Sequence, residues 1–212
     1  HKLLEIHGEL LIDNYYLLNE RDNPEVYIFL EEEIDFFVAM SSHSSNFQEE
    51  LFEEMNSRIK EEDESVPYRK NGFYYITRFK TGQQYPIYAR KKGNLEAPEE
   101  LIVDVNEMAD GHDYYALTGL NISSDNRIAA FGVDTLSRRQ YDLRFKNLET
   151  MELYPEEIKN TTGNSAWAND NMTVFYTRKD PVTLRSDKIY RHTLGTDPSE
   201  DTLIYEEDDE TF

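Results

Sequence analysis

Ser123-Ser124-Asp125-Asn126 is restated forty-five positions on as Ala168-Asn169-Asp170-Asn171. Leu143-Arg144-Phe145-Lys146-Asn147-Leu148-Glu149-Thr150 is restated forty-six positions on as Ile189-Tyr190-Arg191-His192-Thr193-Leu194-Gly195-Thr196. The whole stretch from Ala116 to Leu153 recurs, in order, from Asn160 to Tyr205. A period of that size, with several short strands per unit, is the signature of a β-propeller blade. A propeller is a closed ring, and this chain holds too few units to close one. It therefore reads as part of something larger.

Strand signals fill each unit. The second unit predicts strands at 117–122, 128–134 and 141–147, a turn at 123–126 and a shorter piece near Glu152. The third predicts strands at 165–168, 173–178, 188–193 and 202–206, with a turn at 169–171. A first unit matches less closely. Its strands fall at 73–79, 85–91 and 101–105, with turns at Thr81-Gly82 and Gly93-Asn94, and 87–92 corresponds to 143–147. The expected fold class is mainly β: a partial β-propeller of about three four-stranded blades. The acidic run Asp208-Asp209-Glu210-Thr211-Phe212 stands where a fourth unit would begin.

Residues 1–65 follow a different pattern. Residues 1–22 read as mixed and irregular. Asn23 then caps a helix, Pro24 suits its first turn and Glu25 complements the helix dipole. Val26, Phe29, Leu30, Ile34 and Phe37 share one face. After a polar break at 41–45, Ser45 and Gln48 form a capping-box pattern for a second helix. Its stripe is Phe47, Leu51, Phe52, Met55 and Ile59, opposite Glu49, Glu50, Glu53 and Glu54. The expected organisation is an N-terminal arm with two helices over 1–65 and the first three blades over 66–212. Both apolar stripes need a surface to pack on.

Charge bounds the function. Of 212 residues, 43 are acidic and 22 basic, for a net charge of -21. That argues against nucleic acid or an anionic membrane as the main partner. It reads first as a soluble, self-repelling surface, and it is compatible with cationic ligands or peptides. The chain has no Cys, which excludes disulfides, thiol nucleophiles and Cys-type zinc sites. No run of 18 apolar residues and no signal peptide are visible. The chain starts at His1 and not at Met, so residues are expected to precede it.

No complete active site is legible. A Ser hydrolase elbow needs Gly-x-Ser-x-Gly. Gly163-Asn164-Ser165-Ala166-Trp167 lacks the second Gly, so Ser165 reads as a strand residue. His1, His7, His43, His112 and His192 have no partner at zinc-helix spacing. Gly111-His112-Asp113 reads as a loop, and Arg138-Arg139 as an exposed loop. The acidic residues 206–210 lack the spacing of a calcium loop and read as a solvated connector. Trp167 reads as inter-blade packing. Sequons stand at Asn121, Asn160 and Asn171. No catalytic, cofactor-binding or metal residue is assigned.

An ordered series of short matches carries a family resemblance. It runs His7-Gly8, Asp13-Asn14-Tyr15-Tyr16, Asn23-Pro24-Glu25-Val26, Glu54-Met55 and Arg58-Ile59-Lys60-Glu61. It continues with Ser65-Val66-Pro67, Gly72-Phe73-Tyr74-Tyr75, Gly111-His112, Ser124-Asp125 and His192-Thr193-Leu194-Gly195-Thr196. It closes on Tyr205-Glu206-Glu207-Asp208. Over essentially its whole length the chain resembles the N-terminal part of the oligopeptidase B (protease II) branch of the prolyl oligopeptidase family of serine peptidases. It departs at Leu11, Leu18 and Ser186, where the branch often carries Arg, Trp and Pro.

The resemblance implies a seven-bladed propeller, open at its ends, over a C-terminal α/β-hydrolase domain that carries a Ser-Asp-His triad. It implies cleavage of short peptides after Lys or Arg, with the propeller screening out long and folded chains and the arm wrapping toward the hydrolase domain. The family's catalytic residues have no matching positions in this chain, so none is carried over. The expected partners are short basic peptides and the hydrolase domain of the same protein. The expected compartment is the cytoplasm, with the periplasm as alternative. The competing reading is a stand-alone propeller-type binding module. A fragment with open blade faces is also expected to self-associate.

Overall fold

The structure is a computed structural model and describes residues 1–209 and 211. The chain divides into two units, His1–Lys60 and Glu61–Phe212.

The first unit begins with a hairpin of β1 (Lys2–Ile6) and β2 (Glu9–Asp13), in which Ile6 pairs with Glu9. This corrects the expectation of an irregular start. His7 (φ 54) and Gly8 (φ 81) are both left-handed, as a two-residue hairpin turn of matching twist requires. The strands escaped notice because they bury almost nothing, so no apolar alternation marks them.

Helix α1 (Pro24–Ser41) starts where expected, and Asn23 Oδ1 accepts the Glu25 N–H at 3.0 Å. The expected polar break is instead a short 3-10 turn over Ser42–Ser44 that runs straight into α2 (Ser45–Ser57). The capping box does not form. The chain enters α2 already helical, so Ser45 Oγ turns back to the Ser42 carbonyl at 3.0 Å, and Gln48 Nε2 donates to Ser44 Oγ at 2.7 Å. Val26 is buried, but the rest of both stripes is exposed, with Phe37 at 67% and Phe52 at 68%.

Among the described residues the second unit forms three four-stranded blades. The first is β4 (Tyr68–Lys70), β5 (Phe73–Phe79), β6 (Ile87–Lys92) and β7 (Glu99–Asp104), with β3 (Asp63–Glu64) also paired to β5. Asp104 caps a one-turn helix, α3 (Val105–Met108), which leads to the second blade. There β8 (Ala116–Ile122), β9 (Ile128–Asp134) and β10 (Tyr141–Asn147) meet the long strand β11 (Leu153–Trp167). Strands β12 (Thr173–Arg178), β13 (Lys188–Thr193) and β14 (Thr202–Glu206) complete the third blade.

Strand β11 serves two blades. Leu153, Glu157 and Ile158 pair with β10, whereas Ser165, Ala166 and Trp167 pair with β12. The sequence reading had separated these halves, with no strand between them. The strand runs on through the left-handed residues Asn160 (φ 58) and Gly163 (φ 83), where its register with β10 and β12 shifts. Gly163 crosses directly over Gly119 and Gly132. A Cβ on any of the three would run into the backbone or side chain of its neighbour.

Strand β9 is buried along its whole length and feeds two cores. Ala129, Phe131 and Val133 pack with Phe73, Tyr75, Ile102 and Val103 at the seam of the first and second blades. Ile128 and Ala130 pack with Leu143, Phe145, Ile158 and Val174 toward the third. Phe131 and Phe145 are fully buried. Each contributes about 1.5–3 kcal/mol by leaving water.

Candidate functional site: seams and loop faces of the blades

The turn between the first two strands of each blade has an asparagine at the same place. Asn71, Asn126 and Asn171 are all left-handed, with φ of 46, 65 and 59. Their amides reach across the seams. Asn126 Nδ2 donates to the Asn71 carbonyl at 3.1 Å, and Asn171 Oδ1 accepts both the Ser124 hydroxyl at 2.7 Å and the Asp125 N–H at 3.1 Å. Trp167 Nε1 donates to the Asn121 carbonyl at 3.2 Å, and its ring meets Phe145 edge-on at 6.1 Å. It packs between blades and offers no ligand platform.

Beside the first of these turns, a recess of 580 Å³ opens between the first and second blades, lined by Phe73, Arg90, Lys92, Arg127, Leu148 and Glu149 among others. Arg90 is 5% exposed. Its Nε donates to Glu100 Oε2 at 2.9 Å and its Nη1 to the Asn126 carbonyl at 2.7 Å, while the guanidinium lies 4.2 Å over the Phe73 ring. Sequence reasoning missed Arg90, because its partners lie on another strand and another blade.

The third blade encloses a second missed cluster. His192 is fully buried, stacked on Phe145 at 5.8 Å, and its Nδ1 lies 2.7 Å from Asp201 Oδ1. Tyr176 donates its hydroxyl to Asp201 Oδ2 at 2.7 Å. Burial and this hydrogen bond to Asp201 push the Tyr176 phenol up from its ordinary value. His192 and Asp201 have the look of two members of a triad. They cannot act as one, because His192 Nε2, the atom that would take a nucleophile's proton, is buried with no partner.

On the second blade, Glu157 sits between Arg144 Nε at 2.6 Å and Lys159 Nζ at 2.5 Å. Burial pushes its carboxyl up, but the Lys159 and Arg144 charges outweigh that and hold it below the usual value. Lys146 donates to the Ile102 carbonyl across the first seam at 3.0 Å, and burial lowers its ammonium pKa.

The remaining sequence candidates stay apart. Ser165 Oγ is buried in β11 without a partner, which is not how a nucleophile is presented. His112 lies in the loop after α3 against the Tyr115 ring at 5.5 Å. Arg138 and Arg139 are exposed in a loop, where the Arg139 N–H donates to Asp134 Oδ2 at 2.7 Å. The acidic connector wraps Arg185, whose Nη2 donates to the Glu207 and Asp209 carbonyls; Glu210 and Phe212 lie outside the described residues. Two of the sequon amides are engaged, with Asn121 donating to the Ser165 carbonyl at 3.0 Å and Asn171 holding the seam. Among the described residues no helix is long and apolar enough to cross a membrane, and no group of three His, Asp or Glu is placed to hold a metal ion.

The family described as prolyl oligopeptidase, N-terminal beta-propeller domain, matches residues 1–212. Dipeptidyl aminopeptidase BI of Pseudoxanthomonas mexicana is 40% identical over 223 residues, covering 97% of this chain and 31% of that protein. Protease 2 of Moraxella lacunata is 34% identical over 215 residues, covering 98% and 31%. Among solved structures, oligopeptidase B from Leishmania major superposes with a TM-score of 0.86 at 31% identity, over 95% of this chain and 29% of that one. Oligopeptidase B from Trypanosoma brucei, with covalently bound antipain, gives 0.83 at 26% identity over the same shares. The chain thus spans about a third (31%) of the length of the curated relatives it matches. With its three blades, inter-blade asparagine turns and end-to-end family match, the chain belongs to the N-terminal β-propeller domain family of the prolyl oligopeptidases.

Proposed function

We propose that this chain is the substrate-screening propeller portion of a serine oligopeptidase that hydrolyses short peptides after Lys or Arg. The observation that carries this reading is the superposition on oligopeptidase B at a TM-score of 0.86 over 95% of the chain. The chain itself contributes no nucleophile. A C-terminal α/β-hydrolase domain of the same protein supplies the chemistry, and the blades limit which peptides reach it. The exposed stripes of α1 and α2 suit docking of the arm on that domain. The net charge of -21 favours the approach of basic peptides by long-range steering, and disfavours nucleic acid and anionic membranes. The protein works in the cytoplasm, with the periplasm as second choice. The isolated segment, with its apolar stripes uncovered, self-associates.

One observation favours a second reading. The relative that is 40% identical is named a dipeptidyl aminopeptidase, which would remove dipeptides from a free amino terminus. The test is hydrolysis by the complete protein of chromogenic dipeptide amides ending in Arg, Lys or Ala, each with a blocked or a free amino end. Cleavage of blocked Arg and Lys amides supports the first reading. Activity only on free dipeptide amides supports the second. Inertness to all of them leaves a stand-alone binding module.

A further inference from the structure

The charge of the chain is unevenly spread. Residues 65–95 hold seven Lys and Arg and no Asp or Glu, although the chain as a whole carries 22 basic and 43 acidic residues. The strand register gathers this segment's cations around aromatic rings. Lys70 and Lys92 flank Phe73 on β5, and Tyr68 and Arg90 flank Tyr75 on the same face. Arg69 and Lys91 flank Tyr74 on the other face.

The first of these faces is a wall of the 580 Å³ recess, a volume within the usual range for small-ligand sites. The acids that line it are already engaged. Glu100 holds Arg90, Glu149 lies 3.4 Å from Arg127 Nε, and Asp125 Oδ1 takes the Ser123 hydroxyl at 2.6 Å. Lys92 makes no ion pair or hydrogen bond among the described residues; its ammonium stands 6.0 Å from the Phe73 ring centre. Arg90 is fixed through Nε and Nη1, and its guanidinium also hydrogen-bonds the Tyr75 side chain, so it stands as a held positive charge behind Lys92. Among the described residues Lys92 is therefore the unpaired cation of the recess, beside the apolar surface of Phe73 and Leu148.

We propose that this recess is a binding site for the C-terminal residue of a short peptide. Lys92 receives the α-carboxylate, the buried Arg90 guanidinium backs it, and Phe73 and Leu148 receive the side chain. A carboxylate on Lys92, with the Arg90 charge behind it and an apolar group beside it, suits these groups. The site deepens the proposed function by giving substrate or product peptides a place on the propeller, and it rests on that reading for its biological ligand.

The test is calorimetric binding of N-acetyl-Gly-Gly-Phe to the complete protein, compared with the same peptide as its C-terminal amide. The probe contains no Lys or Arg, so the result does not depend on peptidase activity. The acid is expected to bind at least about tenfold tighter than the amide, the worth of one charge-assisted contact. K92Q should abolish that difference. R69Q, which removes the same charge from the opposite face, should keep it. Acetate at the same concentration should compete only weakly if the Phe73 surface contributes. Equal binding of acid and amide, no binding of either, or an equal loss in K92Q and R69Q overturns the proposal. Hydrolysis of Arg amides with no acid-selective binding would sink this site and leave the proposed function standing.

Discussion

Asn171 accepts the Ser124 hydroxyl on its side-chain Oδ1 at 2.7 Å, so a residue of the third blade holds the turn of the second. The same oxygen takes the Asp125 N–H, and one seam earlier Asn126 does the corresponding service for Asn71. Asparagine suits this place twice over. It tolerates the left-handed backbone, and its amide is long enough to span the seam.

The two roles separate by mutation. N171G keeps the backbone freedom and loses the amide, and should cost about 1 kcal/mol. N171A also strains the backbone and should cost about 1–2 kcal/mol more. Denaturant midpoints measure both. An N171G protein as stable as the parent would mean that the inter-blade bonds carry nothing.

Gly163 should be far less replaceable than an ordinary turn glycine. Its φ is +83, and a Cβ there would run into Thr118 Cγ2 and lie 2.9 Å from Tyr141 Cγ. Gly82 has a similar φ of +76 but open space around it. G82A should cost about 1 kcal/mol, whereas G163A should cost about 3 kcal/mol or more, because β11 could no longer cross the second blade. Comparable thermal midpoints for the two variants would contradict this account of the crossing.

Asp201 holds two buried groups at once. D201A leaves His192 and the Tyr176 hydroxyl without their acceptor and should destabilise by about 3 kcal/mol. Y176F removes the bond to Asp201 and the donation from Arg178 Nη2, but leaves His192 its acceptor, and should cost about 1–2 kcal/mol. If Y176F proves as damaging as D201A, the cluster is not centred on Asp201.

Acid should probe the Glu157 cluster. Its carboxyl is held below the ordinary 4.5 in the folded chain, so its stabilisation is present above that pH and is lost as pH falls through the lower folded value. The stability gap between the parent and E157Q should therefore be open at neutral pH and close as the pH drops below 4.5. A gap that is constant across the acid range would show that Glu157 does not act through its charge.

Much of the second unit is legible in sequence because its strands are aromatic and β-branched runs bounded by turn residues. Residues 73–79, 128–134, 141–147, 173–178, 188–193 and 202–206 are strands where turn residues and aromatic or β-branched runs say they should be. The misses have physical causes. The hairpin of 1–13 buries too little to show alternation. The serine-rich link from α1 to α2 offers hydroxyls that can cap a helix or close a helical turn, and the local sequence does not choose. The continuity of β11 depends on a glycine contact between Gly163, Gly119 and Gly132, which are distant in sequence. The recess was illegible for the same reason, since Arg90, Asn126 and Leu148 meet only when two blades pack. The repeat did foretell the asparagine turns, because Asn126 and Asn171 recur in register.

The central claim is that these blades screen peptides for a hydrolase domain. It is tested most directly by kcat/KM of the complete protein for one Arg-containing pentapeptide sequence, presented free, within a long unfolded chain and within a folded domain. The account predicts efficient cleavage of the free peptide after Arg and little or none of the other two. Equal cleavage of all three would contradict screening, and no cleavage of any would contradict the peptidase itself.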